Sequence, residues 1–267
     1  MPSPDAAERS FARALTRLKR RGSNMLLLGP PSPSLRRAAS RRLLGDGTVE
    51  PRRRVFVLTD GAAVDPTLGR GPTTASTVRV VSPSAATREV SSTCSGTTAS
   101  PLSPDSGRPA SAGPTEPGVT DPDTDVYDAN DTADDAEAST GGSRRSVSGE
   151  RLGAVAGVLG GEVESIERRA GGLESGELRL CVDSLDALFA GHTPGAVKRF
   201  VSVVGNRVRA VSGMAHCHLS ADRSDPVCRR LEPAFDAVIE LRRGPDGEPE
   251  HRWTLRRPDV ESEWLAL

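Results

Sequence analysis

The sequence predicts an α/β domain with a mostly parallel sheet, flanking helices and a C-terminal antiparallel hairpin. Short apolar runs alternate along the chain with segments of helical periodicity, which favours strands joined by helices and hence a parallel sheet. One run, residues 178–183, ends in an acid and then passes into a helix-like pattern, as expected for a central buried strand. Ligands bind at the carboxyl ends of such strands, so Asp183 and Ser184 stand where a site is usually built.

The N-terminal part, residues 1–81, contains the opening of this fold. Apolar residues at helical spacing predict a first helix that ends near Gly22. Residues 24–29 form an apolar run too short for a helix, which favours a buried strand, and a loop and a second helix follow. Residues 54–60 and 77–81 predict two further strands, rich in β-branched residues.

Residues 82–147 interrupt the domain with a segment of different composition, dominated by Ser, Thr, Pro, Gly and Asp. A segment with so few aliphatic and aromatic side chains cannot bury enough surface to offset the entropy lost on ordering. Structureless loops longer than about 15 residues are also uncommon inside compact domains. We therefore expect a disordered insertion between two parts of one domain.

The C-terminal part, residues 148–267, resumes the alternation of elements. Helical spacing predicts one long helix before the central strand and a second that begins after Thr193, where a Thr-Pro pair is typical of a helix start. Residues 214–219 predict a strand, and a short helix follows. Residues 235–241 predict another strand, which turns back at 244–247 as a hairpin.

Composition and charge limit the classes of partner. The net charge of −1 gives no overall attraction to nucleic acid or membrane, and the 3% of aromatic residues leaves little to stack on bases. We therefore interpret the arginine clusters as solvated helix faces. No secretory signal or long apolar run is found, which predicts a soluble, cytoplasmic protein whose four cysteines are free thiols.

Several of these stretches together resemble a known family. The run at 24–29 with its following helix, the strand end at 180–185, the Val-rich helix and the strand at 213–219 look like the core of RecA/KaiC-type ATPases. More narrowly, they resemble the uncharacterised KaiC-like proteins of halophilic archaea. The resemblance covers residues 8–81 and 148–257 and implies a P-loop NTPase-type sheet, with ATP and Mg²⁺ as the ligands of working members.

The phosphate loop of that family is altered in this chain. The pattern G-x-x-x-x-G-K-[ST] cradles phosphate with backbone N–H groups, a lysine and a Mg²⁺-binding hydroxyl. Gly29 begins the corresponding loop, but Ser34 replaces the second glycine, Leu35 the lysine and Arg36 the hydroxyl residue. Three loop positions lack an N–H to donate: Pro30, Pro31 and Pro33. We expect this loop not to bind ATP, although Arg36 lies at a helix N-terminus, where anions are favoured.

The acids of the family's site are also only partly present. Asp183 matches the acid that supports Mg²⁺ through water, and Ser184 follows it. Without the lysine and the hydroxyl, Asp183 is better interpreted as a hydrogen-bonding group at a strand end. Thr59 and Asp60 stand where KaiC-like enzymes carry a glutamate that activates water, so Asp60 is a candidate substitute.

His216 and His218 alternate along one strand and so share a face, with Cys217 on the other face and Cys228 near in sequence. Two ligands at this spacing can begin a zinc site, but no third or fourth is found at a suitable interval. We therefore expect no metal here, and two buried histidines hydrogen-bonded to neighbours.

These observations predict a non-catalytic regulatory or interaction protein on a degenerate RecA/KaiC-like fold, without a cofactor. It would keep a vestigial nucleotide site at Gly29, Ser34, Arg36, Asp183 and Ser184. The alternative is a divergent ATP-binding protein or ATPase that uses Arg36 and Asp183. The expected partner is another protein or a second copy of the chain, since RecA-like domains often assemble with the site between subunits.

Overall fold

The computed structural model describes residues 4–45, 52–59, 75–81, 143–257 and 259–267. The helices are α1 (Pro4–Arg20), α2 (Pro33–Leu44), α3 (Leu152–Ala170), α4 (Asp186–Phe189), α5 (Pro194–Ala210) and α6 (Pro226–Leu231), followed by a 3₁₀ turn at Glu232–Ala234. The strands are β1 (Ser23–Leu28), β2 (Arg53–Leu58), β3 (Ala75–Val81), β4 (Arg144–Ser148), β5 (Leu178–Val182), β6 (Met214–Leu219), β7 (Ala237–Arg243), β8 (Pro249–Arg256), β9 (Asp259–Glu261) and β10 (Leu265–Ala266).

The strands of the described residues form one sheet in the order β10-β8-β7-β1-β6-β5-β2-β3-β4, with β9 also paired to β8. All neighbours from β7 to β4 are parallel, whereas β8 pairs antiparallel with β7, β9 and β10. The predicted α/β class, with a mostly parallel sheet and a C-terminal antiparallel hairpin, is therefore confirmed. β5, β6 and β1 are adjacent at the centre, so the loops after these strands meet at one edge.

The sheet is buried between two layers of helices. Successive residues of a strand point to opposite faces. In β1, Met25 and Leu27 pack in the core beneath α1 and α2, whereas Leu26 and Leu28 pack in the core beneath α3 and α5. Burial on both faces explains why this strand reads as a continuous apolar run.

The main difference from the sequence prediction is β4, of which all but the last residue lies within residues assigned to the insertion. Arg144–Ser148 pairs in parallel with β3 at the edge of the sheet. Four of its five residues are exposed, and only Val147 is apolar and partly buried. An edge strand of this composition has no hydrophobic pattern that could reveal it. Residues 82–142, the rest of the predicted insertion, and Asp60 lie outside the described residues.

The helix ends have capping residues, and the predicted start of a helix after Thr193 is confirmed. The Thr193 side chain accepts a hydrogen bond from the Ala196 N–H at the start of α5, and Asp225 accepts one from the Val227 N–H at the start of α6. Gly45, with φ of 71°, ends α2 in the left-handed conformation that glycine adopts without strain. None of the helices in the described part of the chain combines the length and the hydropathy that a membrane span requires.

Candidate functional site

The loop after β1 folds differently from a phosphate-binding nest. It spans residues 29–32, and α2 already begins at Pro33. The Ser32 N–H donates to the Pro30 carbonyl at 2.7 Å, so one of the few N–H groups of the loop is used internally. Prolines at 30, 31 and 33 supply none. The loop therefore offers an anion few of the backbone donors that a phosphate site needs.

Leu35 and Arg36 have roles of their own in the fold. Leu35 is 1% exposed and packs in the core between α2 and the sheet. The Arg36 guanidinium forms an ion pair with Asp186, at 3.3 Å between Nη2 and Oδ2, and also hydrogen-bonds the Ser220 hydroxyl. A hydrophobic side chain thus occupies the position where the resemblance places the lysine, and the Arg36 guanidinium is already paired.

Asp186 is the centre of this network. It accepts hydrogen bonds from the Ser220 N–H at 3.1 Å, from the Ser220 hydroxyl at 2.9 Å and from the Ser184 hydroxyl at 3.0 Å. Ser220 follows β6 and Asp186 begins α4 after β5, so the network joins the carboxyl ends of β5 and β6 to the helix after β1. We call Arg36, Ser184, Asp186 and Ser220 the strand-end network.

Asp183 lies in a neighbouring hydrogen-bonded arrangement centred on Thr59, whose hydroxyl also donates to the Ser184 carbonyl at 2.7 Å. Its Oδ1 accepts from the Thr59 N–H at 2.9 Å and lies 2.8 Å from the Thr59 hydroxyl. Its own N–H donates to the Val57 carbonyl at 3.0 Å. Asp183 therefore joins the ends of β5 and β2, in agreement with its interpretation as a hydrogen-bonding group at a strand end.

Gly29 and Ser34 contact the end of β7. A Cβ atom on Gly29 would lie 2.9 Å from the Leu241 carbonyl oxygen, so the close approach of the two strands excludes a side chain there. The Ser34 hydroxyl accepts from Arg243 Nη2 at 2.9 Å. The structure thus brings Arg36 and Ser184 together through Asp186, while Asp183, Gly29 and Ser34 have separate partners.

Sequence reasoning missed Asp186 and Ser220 as members of this region. Ser220 directly follows a buried strand that the sequence predicts, and Asp186 lies four residues after the end of another, so their positions near strand ends were the available signal. The sequence does not show that β5 and β6 are neighbours, because their pairing depends on the strand order of the whole sheet.

A second polar cluster is buried under α2. His216 and His218 of β6 point to the same side of the sheet, and β5 places Cys181 directly opposite His216 in the parallel pairing. One ligand atom from each of these three side chains lies within 4.8 Å of the other two. The Ser40 hydroxyl of α2 lies 2.9 Å from His218 Nε2, 3.3 Å from His216 Nε2 and 3.9 Å from Cys181 Sγ. We call these four residues the Cys-His cluster.

Burial dominates the electrostatics of this cluster. It lowers the pKa of His216 to about 3, with Arg179 adding to the effect, and lowers the pKa of His218 as well. It raises the pKa of the Cys181 thiol to about 12, with Asp183 adding to it. Without a metal, the cluster at neutral pH therefore contains two neutral imidazoles and a thiol.

The expectation of two histidines hydrogen-bonded to neighbours agrees with these contacts, but a third soft ligand is also present. Sequence spacing could not show Cys181, because it comes from the adjacent strand. Cys217 and Cys228 lie in the core on the opposite face. Cys181, Cys217 and Cys228 are free thiols, as predicted; Cys94 lies outside the described residues.

A search of curated proteins finds no match to this chain. A family model does match, over residues 22–113 and 97–241, a span that includes both the strand-end network and the Cys-His cluster. The chain therefore belongs to DUF7504, a family of unknown function.

Proposed function

We propose that this protein is a non-catalytic regulatory or interaction protein built on a degenerate RecA/KaiC-like ATPase fold. The order of elements supports the finer fold assignment: a buried strand leads through a short loop into a helix, and an acid ends a central parallel strand. The sheet class itself is compatible with other nucleotide-binding α/β folds, so the RecA/KaiC relationship belongs to the proposal.

One observation is the main support for the proposed absence of catalysis. Arg36 is the cation best placed to replace the missing lysine, and it is bonded to Asp186 and Ser220. A triphosphate that recruited Arg36 would have to break this ion pair and would approach the Asp186 carboxylate. The negative charges of the phosphate and of the Asp186 carboxylate would repel each other, so the strand-end network opposes an anion rather than attracting one.

The expected reduction in triphosphate affinity follows from the missing contacts. A hydrogen bond to a charged group contributes about 1.5–3 kcal/mol, so losing the lysine and one or two backbone donors weakens triphosphate binding about a thousandfold or more. Attraction by the N-terminus of α2 contributes only about 0.3–1 kcal/mol. This attraction is too small to compensate.

The partner we propose is another protein or a second copy of the chain. The strand ends are joined to one another by an internal ion pair and hydrogen bonds. We therefore assign the binding of a partner to the outer surfaces of the fold. Sedimentation velocity of the purified full chain distinguishes self-association from a monomer that needs a different partner.

Calorimetry of the full chain with Mg-ATP tests the proposal. We expect no measurable heat of binding and no phosphate release. The divergent ATPase that uses Arg36 and Asp183 predicts the opposite result: a micromolar dissociation constant that is lost in Arg36→Ala. The matched control is Arg37→Ala, which removes the neighbouring exposed arginine of α2. Binding that Arg36→Ala abolishes and Arg37→Ala preserves would overturn the proposal.

A further inference from the structure

The Cys-His cluster brings together three side chains that are common zinc ligands. Cys181 and His216 are paired residues of neighbouring parallel strands, and His218 is two residues further along the same face of β6. All three are buried, with exposed fractions of 5%, 1% and 2%. Buried side chains of this kind, all pointing toward one another, are not explained by the packing of an apolar core.

Ser40 lies above the three side chains and closes the cluster. It is 4% exposed and comes from α2, so the fourth polar atom belongs to a different layer of the fold. Its hydroxyl has a single proton, which can be donated to only one of the two Nε2 atoms at a time. A hydrogen-bonded arrangement around this hydroxyl needs neither the thiol nor a second imidazole.

We propose that the Cys-His cluster is a zinc-type metal site, with Cys181 Sγ and the Nε2 atoms of His216 and His218 as ligands. Imidazole nitrogen and thiolate sulfur are the donors that Zn²⁺ prefers in proteins, and carboxylates are absent from this set. The Ser40 hydroxyl, or a water molecule in its place, completes four-coordination. Sequence spacing alone argued against a metal because it offered only two ligands.

The distances are compatible with small adjustments. Zinc bonds of about 2.3 Å to sulfur and about 2.0–2.1 Å to nitrogen place tetrahedral ligand atoms about 3.3–3.6 Å apart. One ligand atom from each of the three side chains lies within 4.8 Å of the other two, so the widest possible separation must shorten by about 1.2–1.5 Å. Side-chain rotation is the adjustment that the proposal requires.

The charges and protons can be accounted for when Zn²⁺ binds. Zn²⁺ displaces the thiol proton of Cys181, which leaves to solvent, and a thiolate–zinc bond forms while both imidazoles bind in their neutral form. The buried site then holds one net positive charge. No oxidant, reductant or other co-reactant is required.

The site is independent of the proposed loss of nucleotide binding. It lies between α2 and the faces of β5 and β6, whereas the strand-end network lies beyond the carboxyl ends of the same strands. A metal here would join α2 to two central strands. Metal binding and the absence of ATP binding can therefore be tested separately.

Cobalt substitution is the experiment, with Co²⁺ as the probe on the purified full chain. A Co²⁺ ion bound to a thiolate in a tetrahedral site gives sulfur-to-cobalt charge-transfer absorption and strong visible bands. We expect one Co²⁺ per chain with both features, and we expect an equimolar amount of Zn²⁺ to displace it. Cys181→Ser should lose the charge-transfer band.

Cys217→Ala is the matched control. Cys217 lies between the two histidines in sequence and is equally buried, but it faces the other core, so its removal should leave the spectrum unchanged. X-ray absorption of the zinc-loaded wild-type chain gives a second readout that needs no variant, and it should show one sulfur and at least two imidazole nitrogens. Folded wild-type protein without the bands, a band that survives in Cys181→Ser, or a zinc shell without sulfur would each overturn the proposal.

Discussion

Single residues decide what the strand ends of this fold can bind. Leu35, which corresponds to the phosphate-loop lysine in the relationship we propose, is buried in the core, while Arg36 beside it is ion-paired with Asp186. The sequence shows which residues differ from the proposed motif, because these differences are visible in the pattern. It could not predict what those replacements contact, since Asp186 and Ser220 arrive from strands more than a hundred residues further along the chain.

Introducing the phosphate-loop motif should fail because Leu35 belongs to the core. In the double variant Leu35→Lys with Arg36→Thr, removal of a buried leucine costs about 2–5 kcal/mol, and the new ammonium group must be buried or force α2 to shift. We expect a clear drop in the urea midpoint and no binding of Mg-ATP by calorimetry. Arg37→Lys, at an exposed position of the same helix, should leave the midpoint nearly unchanged. A stable double variant that binds ATP would contradict this account of the loop.

Acid should destabilise the metal-free protein through the buried histidines. In the folded chain the pKa of His216 is about 3 and that of His218 is also lowered, whereas an unfolded histidine has a pKa of about 6.5. The stability linked to these neutral side chains is therefore fully present above about pH 6.5 and is lost as the pH falls toward the folded values. Each histidine contributes at most about 1.4 kcal/mol per pH unit in this window.

Urea unfolding in EDTA between pH 7 and pH 5 measures this dependence. The free energy of unfolding should fall over this range, and the fall should be smaller when both His216 and His218 are changed to Gln. His192→Gln is the control, since His192 is only partly buried and hydrogen-bonds the Gly149 carbonyl outside the cluster. An equal pH dependence in wild type and the double variant would exclude His216 and His218 as its source and leave the buried His251, whose pKa burial lowers to about 4.

At the scale of elements, strands with a buried apolar pattern were predicted well and edge strands were not. β1, β2, β5 and β6 are buried at nearly every position, so their residues form apolar runs bounded by turn signals. β4 pairs with β3 and has only Val147 packed against the core, and it is also held by polar contacts to α3. The buried Glu162 carboxylate accepts a hydrogen bond from the Ser143 hydroxyl at 2.8 Å and lies 3.5 Å from Arg145 Nε. Contacts of this kind leave no periodic signal in the sequence.

Glu162 should therefore matter more than a neighbouring surface acid. Glu162→Ala removes a charge-assisted hydrogen bond and the ion pair to β4, and we expect a loss of about 2 kcal/mol in the free energy of unfolding. The control Glu164→Ala removes a half-exposed acid of the same helix that pairs with Arg168 and Arg207, and should cost about 0.5 kcal/mol. Hydrogen exchange should show faster opening of β4 in Glu162→Ala alone. Equal costs for the two variants would show that Glu162 does not hold the edge strand.

For the whole molecule, the sheet order explains how two distant parts of the chain form one domain. β3 ends at Val81 and β4 begins at Arg144, yet the two strands are adjacent, parallel and in register from Thr77 opposite Arg144 to Val81 opposite Ser148. The chain must therefore return from the carboxyl end of β3 to the amino end of β4. A parallel pair needs a connection of about a dozen residues or more for this return. A longer connection costs little more, because the entropy lost on closing a loop grows only with the logarithm of the loop length.

Residues 82–142 should therefore be replaceable by a linker long enough to make this return. A flexible Gly-Ser linker of about 20 residues covers the span, so this variant should keep the circular dichroism spectrum of the wild type and melt within a few degrees of it. A linker of about four residues is too short for a parallel return. The short-linker variant should lose β4 and melt at a clearly lower temperature. In the wild type, limited proteolysis should cut within 82–142 and leave two fragments that stay associated through the shared sheet. If the 20-residue variant failed to fold, or if the segment resisted protease as well as the sheet does, the replaced residues would be part of the core and the insertion would be a structural element of the domain.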